Sequence, residues 1–272
     1  FIEEGENIVV PDMFWGNYRL IFEQRKQAVL RGFPFFTPDG GLNVDGFGET
    51  MRNSAVNNKI ILIVNFPNNP TGYSPTKEEA EKLHSMITRL ASEGYKILAI
   101  MDDAYFGLFY EDSTYKQSLF SVLYNAHENI LAVKIDGATK EDFVWGFRLG
   151  FVTFGCKGMT TEQYEALNKK LTGAIRSSVS NCSRPAQSII KRALKDPDHQ
   201  NAKQQYFEAL KKRYQKVRSI LDAAPDDVPI QPLPFNSGYF MTFTVPEGKA
   251  EELRTKLLEE EGIGTISIQG NY

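Results

Sequence analysis

Short apolar runs rich in Val, Ile and Phe recur along the first 160 or so residues, each followed by a polar cluster and most by a stretch with helical periodicity. That alternation is what βα units around a mostly parallel sheet produce, because a parallel strand is covered on both faces and is returned by a crossover helix. The runs predict strands over Lys59 to Asn65, Ile97 to Asp102, Ile130 to Ile135 and Phe151 to Phe154. Between the first two, Pro75 to Glu93 places Leu83, Met86, Ile87 and Leu90 at helical spacing, with Pro75 set to open a helix and Gly94 to close it.

Beyond about residue 160 the pattern turns helical, over Thr161 to Arg176 and then over a long charged stretch from Pro185 to Leu221. Asp196-Pro197-Asp198 interrupts that stretch, so a second long helix is expected from near Pro197 toward Ala224. A Pro-rich loop follows, then a strand at Gly238 to Val245 and a helix at Lys249 to Glu261. The expected division is a large domain over residues 1–205 and a small α+β domain over 206–272, with the boundary inside the long helix. The chain opens at Phe1 without an initiator Met and runs almost at once into an apolar segment, so both domains are read as incomplete pieces of a longer protein.

Composition narrows the function classes. A chain of 272 residues with 42% hydrophobic residues can bury a sizeable core. The net charge of -3, with acids and bases interspersed, offers neither a nucleic-acid stripe nor a patch for an anionic membrane. Cys156 and Cys182 are the 2 cysteines, without CxxC spacing or clustered histidines, which argues against a disulfide framework and a zinc site. A reducing, cytoplasmic setting fits best. No membrane-length apolar run or signal-peptide pattern occurs.

In an open α/β sheet, ligands collect beyond the carboxyl ends of the strands. After the first predicted strand stands Asn65-Phe66-Pro67-Asn68-Asn69-Pro70-Thr71-Gly72, after the second Asp102-Asp103-Ala104-Tyr105, and after the third Asp136-Gly137-Ala138-Thr139-Lys140. Gly146-Phe147-Arg148-Leu149-Gly150 leads into the fourth strand, and Val9-Val10-Pro11 precedes Trp15-Gly16-Asn17-Tyr18. Singly these are ordinary. Asn-Pro-Thr-Gly is a good turn, Asp102 a capping acid, Tyr105 a half-buried core aromatic, Trp15 a packing residue, and an isolated lysine is far more often solvated.

Together they are not ordinary. Asn69-Pro70-Thr71-Gly72, then Asp102 with Tyr105 three residues on, then Lys140 with Arg148 eight residues later, resemble the pyridoxal-phosphate-dependent aminotransferases of class I/II, fold type I, over nearly the whole chain. The resemblance implies an α/β fold with a three-layer, mostly parallel sheet and part of a small α+β C-terminal domain. It implies amino-group transfer between an α-amino acid and a 2-oxo acid, with pyridoxal 5'-phosphate as a Schiff base on Lys140. Lys140 would then be both anchor and general acid/base, needing a neutral amine that burial and nearby positive charge favour. Asp102 resembles the acid that keeps the pyridine nitrogen protonated, so that the ring accepts the carbanion's electrons. Asn69 and Tyr105 resemble the pair that hydrogen-bonds the ring oxygen, Trp15 the aromatic that stacks on the ring, and Arg148 the arginine whose planar fork takes two phosphate oxygens. A cis bond at Asn69-Pro70 is also implied.

The pattern departs from the family in places. Many relatives carry a hydroxyl three positions before the lysine, where this chain has Gly137, so one phosphate hydrogen bond is missing or supplied by Thr139. The small-residue phosphate loop expected well before Trp15, and the carboxylate-gripping arginine expected beyond Gly264-Thr265-Ile266-Ser267-Ile268, are not in the chain, as a partial sequence would have it. The isolated chain is therefore not expected to turn over substrate. Arg176, in Arg176-Ser177-Ser178-Val179-Ser180-Asn181, has two readings. Either it crosses to a neighbouring subunit's site in a homodimer and pairs with the distal carboxylate of a donor such as aspartate or glutamate, or it is a helix-terminal arginine favoured by the dipole. A lyase on the same scaffold, and a cofactor-binding sensor domain of a transcription regulator, are the competing functions. A purely structural protein gives no reason for Lys140, Asp102, Tyr105, Asn69 and Arg148 to occur together.

Overall fold

Hydrophobic runs flanked by turn residues become the centre of a six-stranded sheet in the computed structural model, which describes residues 1–225 and 227–268. In chain order the first elements are β1 (Asn7–Pro11), β2 (Val29–Phe33), α1 (Val44–Asn53), β3 (Lys59–Asn65), α2 (Lys77–Ser92), β4 (Lys96–Asp102) and α3 (Phe120–Leu123). They are followed by β5 (Ile130–Gly137), α4 (Ala138–Glu141) and β6 (Gly150–Gly155), and the sheet runs β2-β1-β3-β4-β5-β6. All pairings are parallel except β5 with β6, which is antiparallel. The four expected strands are β3, β4, β5 and β6, and every side chain of β3 after Lys59 is buried, as a strand covered on both faces requires.

Alternate side chains feed two cores. On one face Leu62, Val64, Ala99 and Met101 pack with Phe47 and Met51 of α1, Leu83, Ile87 and Leu90 of α2 and Leu123 of α3. On the other, Ile61, Ile63, Leu98 and Ile100 meet Tyr18 and, partly buried, Phe14 and Phe22, from a segment that includes a π-helical turn over Arg19–Gln24. The sheet is thus sandwiched between layers. Helix α2 starts two residues later than a first-position Pro75 suggests, at Lys77: Thr76 is the cap, in a reciprocal capping box with Glu79. Gly94, at φ +98°, follows its end.

The remaining helices are α5 (Thr161–Ser178), α6 (Arg184–Ala193) and α7 (His199–Leu221). The break at Asp196-Pro197-Asp198 falls where expected, and α7 runs unbroken through residue 205. After β7 (Gln231–Pro232), the expected strand over Gly238 to Val245 reduces to β8 (Phe243–Thr244), with α8 (Ala250–Glu261) after it. At its expected start the backbone is engaged elsewhere: Gly238 donates its N–H to Leu108 O, just after Asn236 and Ser237 donate theirs to Gly72 O. No helix among the described residues is long and apolar enough to cross a membrane, and no group of three or more potential metal-ligating His, Cys, Asp or Glu side chains occurs among them.

Candidate active site

Parallel pairing sets Asn65 of β3 beside Asp102 of β4, and Asp102 beside Ile135 of β5, so β3 and β4 end at one level and β5 runs two residues further, to Gly137. From there β5 passes directly into α4, which carries Lys140. The antiparallel partner β6 begins opposite, with Gly150 paired to Gly137 and the N–H of Ala138 donating to Leu149 O at 3.2 Å. Arg148 is therefore delivered beside the start of α4, exposed and in a left-handed conformation (φ 52°). The sheet gathers what the sequence separates.

The Asn65 to Gly72 turn is fixed by its own asparagines. Asn65 Oδ1 accepts from the N–H of Asn69 at 2.8 Å while its Nδ2 donates to Asp102 O at 2.7 Å. Asn68, fully buried, accepts from the Thr71 N–H and hydroxyl and donates to Met13 O. Asn69-Pro70 is cis as expected, and Phe66-Pro67 is cis as well. Gly72, at φ +74°, is required: a Cβ there would lie 2.0 Å from Phe240 O. Across this contact Asn236 exchanges hydrogen bonds with the Ser74 backbone, and Thr242 Oγ1 donates to Pro70 O.

Asp102 Oδ2 accepts from the Tyr18 hydroxyl at 2.5 Å, and Oδ1 from the Ala104 N–H at 3.2 Å. Burial raises its pKa above the ordinary carboxylate range, against the pull of the Tyr18 and Ala104 donors and of the Lys140 charge. Asn69 Nδ2 donates to the Tyr105 hydroxyl at 3.3 Å. Tyr105 is buried, and Lys140 Nζ lies 4.8 Å from the centroid of its ring. Tyr239 and Phe240 meet the same ring edge-on at 5.6 and 5.5 Å. Half-buried Lys140 has its pKa lowered, by burial first and by the Arg148 charge, while Asp102 opposes the shift. The amine is thus biased toward its neutral, nucleophilic form.

Asn69, Asp102, Tyr105, Lys140 and Arg148 are brought to one edge of the sheet. Thr139 is half-buried in the first turn of α4, next to Lys140. Trp15 is 39% exposed and packs edge-on to Tyr18 at 5.7 Å, one contact removed from Asp102. Arg176 stands apart: on exposed α5 its Nη1 donates to Ser180 Oγ at 2.6 Å, and its side chain makes no hydrogen bond or ion pair with the group around Lys140 among the described residues. The local pattern missed Tyr18, Asn65, Asn68, Tyr239 and Phe240. The available signals were a tyrosine three residues past Trp15 and a polar residue closing the β3 run.

The chain is similar to known proteins. The family described as aminotransferase class I and II matches residues 1–270. An aspartate aminotransferase of Bacillus sp. (strain YM-2) is 24% identical over 99% of this chain and 64% of the relative. The mitochondrial aspartate aminotransferase of Saccharomyces cerevisiae is 32% identical over 38% of this chain and 24% of its own length. Among solved structures, an aminotransferase from Anaerococcus prevotii superimposes with a TM-score of 0.84 at 25% identity, over 100% of this chain and 65% of that one. The chain thus spans just under two thirds of the length of the Bacillus and Anaerococcus relatives. With the family matched along almost all of these residues and the sheet arranged as its solved relatives have it, the chain belongs to the class I and II aminotransferases, a family that uses pyridoxal phosphate.

Proposed function

We propose that the protein moves an amino group between an α-amino acid and a 2-oxo acid, using pyridoxal 5'-phosphate held covalently by Lys140. The observation that carries this reading is the placing of a half-buried amine of lowered pKa, Lys140 on α4 just after β5, within electrostatic reach of a half-buried carboxylate, Asp102, at the end of the neighbouring strand β4. The donor set suits the cofactor group by group. It provides an amine for the aldehyde, a carboxylate for the ring nitrogen, an amide and a phenol for the ring oxygen, a half-exposed indole for the ring face and a guanidinium for the phosphate.

When bound, the cofactor supplies an aldehyde that takes up the amino group and a ring that draws electrons from the substrate α-carbon. Lys140 Nζ, released when the substrate amine takes its place on the aldehyde carbon, would remove the α-proton and return it, for which a neutral amine is needed. Asp102 holds the proton on the ring nitrogen, Asn69 and Tyr105 donate to the ring oxygen, Trp15 covers one face, and Arg148 with the Thr139 hydroxyl takes the phosphate. In Arg176 the exposure of α5 supports use by a second copy: in a homodimer it would reach the partner's site and pair with the distal carboxylate of a dicarboxylic donor. The name of the Bacillus relative, an aspartate aminotransferase, supports the same donor class.

The test is to add single amino acids to the cofactor-loaded, full-length protein and follow the visible absorption band together with release of the 2-oxo acid. Bleaching of the band with stoichiometric oxo acid is expected for at least one amino acid, and restoration on adding a second oxo acid. Continued consumption of an amino acid with release of ammonia, the band returning without any second oxo acid, would replace transfer by elimination.

A further inference from the structure

Tyr18 caps the start of the π-helical turn and is 4% exposed, yet its hydroxyl ends on a carboxylate rather than on the backbone. Its ring is held on three sides: Phe14 stacks at 6.2 Å, Phe22 packs at 5.8 Å and Trp15 meets it edge-on at 5.7 Å. Beneath it lie Ile8, Val10, Ile61 and Ile63 of the sheet face. A tyrosine so enclosed has little rotamer freedom left, so its hydroxyl is aimed by packing.

We infer that Tyr18 is a positioning residue for Asp102: its hydroxyl fixes the carboxylate plane and favours the charged form, while its ring sets where Trp15 stands. The phenol has one proton to give, and it gives it to Asp102 Oδ2 at 2.5 Å. Burial, and then the Asp102 charge, raise the pKa of Tyr18 well above that of an ordinary phenol, so the hydroxyl remains a donor at every working pH. The Ala104 N–H holds the other oxygen. Together the two donors leave lone pairs on both oxygens for a further partner, and they oppose the burial that would otherwise protonate the acid. Tyr18 thereby links the two groups assigned to the ring nitrogen and to the ring face. The consequence for the cofactor rests on the proposed function; the effect on Asp102 does not.

Tyr18→Phe keeps the ring and removes the hydroxyl. In the cofactor-free, full-length protein, an infrared titration of the Asp102 carboxyl, assigned by subtraction of Asp102→Asn, is expected to move up by about one pH unit. In the loaded protein, cofactor release is expected to be about tenfold easier. An unmoved carboxyl midpoint in folded Tyr18→Phe would overturn the inference and leave the assignment of Asp102 untouched. A moved midpoint in a protein that takes up no pyridoxal phosphate, wild type included, would keep the Tyr18–Asp102 link and overturn the proposed function instead. Should Tyr18→Phe fail to fold, the proton NMR spectrum of the wild type reads the same bond. A far-downfield hydroxyl resonance that vanishes in Asp102→Asn supports it, and absence of that resonance overturns it.

Discussion

Around Asp102 most polar side chains are buried and hydrogen-bonded within the protein, Asp103 excepted, whereas the Lys140 side of the same site is more open. Asn65, Asn68, Thr71, Ser74 and Ser237 are at most 5% exposed, and each has its hydrogen bonds within the protein. Across the site, Trp145 is 77% exposed, Phe151 and Val152 of β6 are nearly half exposed, and Arg148 projects from a left-handed residue at the surface. The difference teaches which part of the chemistry the fold prepays. The groups proposed for the ring nitrogen and oxygen sit among side chains already hydrogen-bonded within the protein and would reorganise little on binding, whereas the exposed guanidinium proposed for the phosphate is not held in that way.

That contrast can be broken or sharpened by substitution. The largest effect is expected at Asp102: Asp102→Asn should keep the fold and lower turnover at least a thousandfold, about 4 kcal/mol of lost stabilisation. Steady-state rates of the loaded enzyme check this, and a loss under tenfold would remove Asp102 from its role. Gly72→Ala places a Cβ against Phe240 O in a conformation L side chains rarely adopt, and should cost about 4 kcal/mol. A denaturant midpoint within error of wild type would mean that the clamp between the turn and residues 236–242 is slack.

The neighbouring acid tests the buried side from within. Asp103 Oδ2 has no hydrogen bond, with only Lys134 Nζ at 3.5 Å, and burial pushes its pKa up to about 6. A raised folded pKa means the native state keeps a proton that the unfolded chain has already released, so this group lowers stability as pH rises from about 4 to about 6. Asp103→Asn should flatten that slope, a relative gain of about 2–3 kcal/mol at pH 8 against pH 4, measured by urea unfolding at both values. An unchanged slope would show the carboxyl to be ordinary. Smallest of all, Trp145→Ser on the open side should shift stability by less than about 0.5 kcal/mol, and a larger loss in the same unfolding assay would mean that this side is as tightly built as the other.

The same division separates what the sequence reveals from what it hides. Strands β3 and β4 are legible because burial on both faces leaves an uninterrupted apolar run, and β5 because its apolar start, Ile130 to Val133, precedes Lys134; the residues that follow these runs, Asp102 among them, are where the candidate site lies. Edge strand β2 was not legible: Arg31 and Gly32 face outward and break its run. The shortening of the expected Gly238 to Val245 strand at its start is hidden too, because Gly238 donates to Leu108, 130 positions earlier, which no local periodicity records. Tyr18 reads as one aromatic among several, since its meaning lies in a partner 84 residues on.

The central claim is that Lys140 carries the cofactor. Its direct test is borohydride reduction of the full-length protein mixed with pyridoxal phosphate, followed by peptide mass mapping of wild type and Lys140→Ala. The account predicts the cofactor mass on the peptide containing Lys140, and none on the Lys140→Ala protein although it folds as wild type does. Cofactor mass fixed on another lysine, or retained in Lys140→Ala, would contradict it.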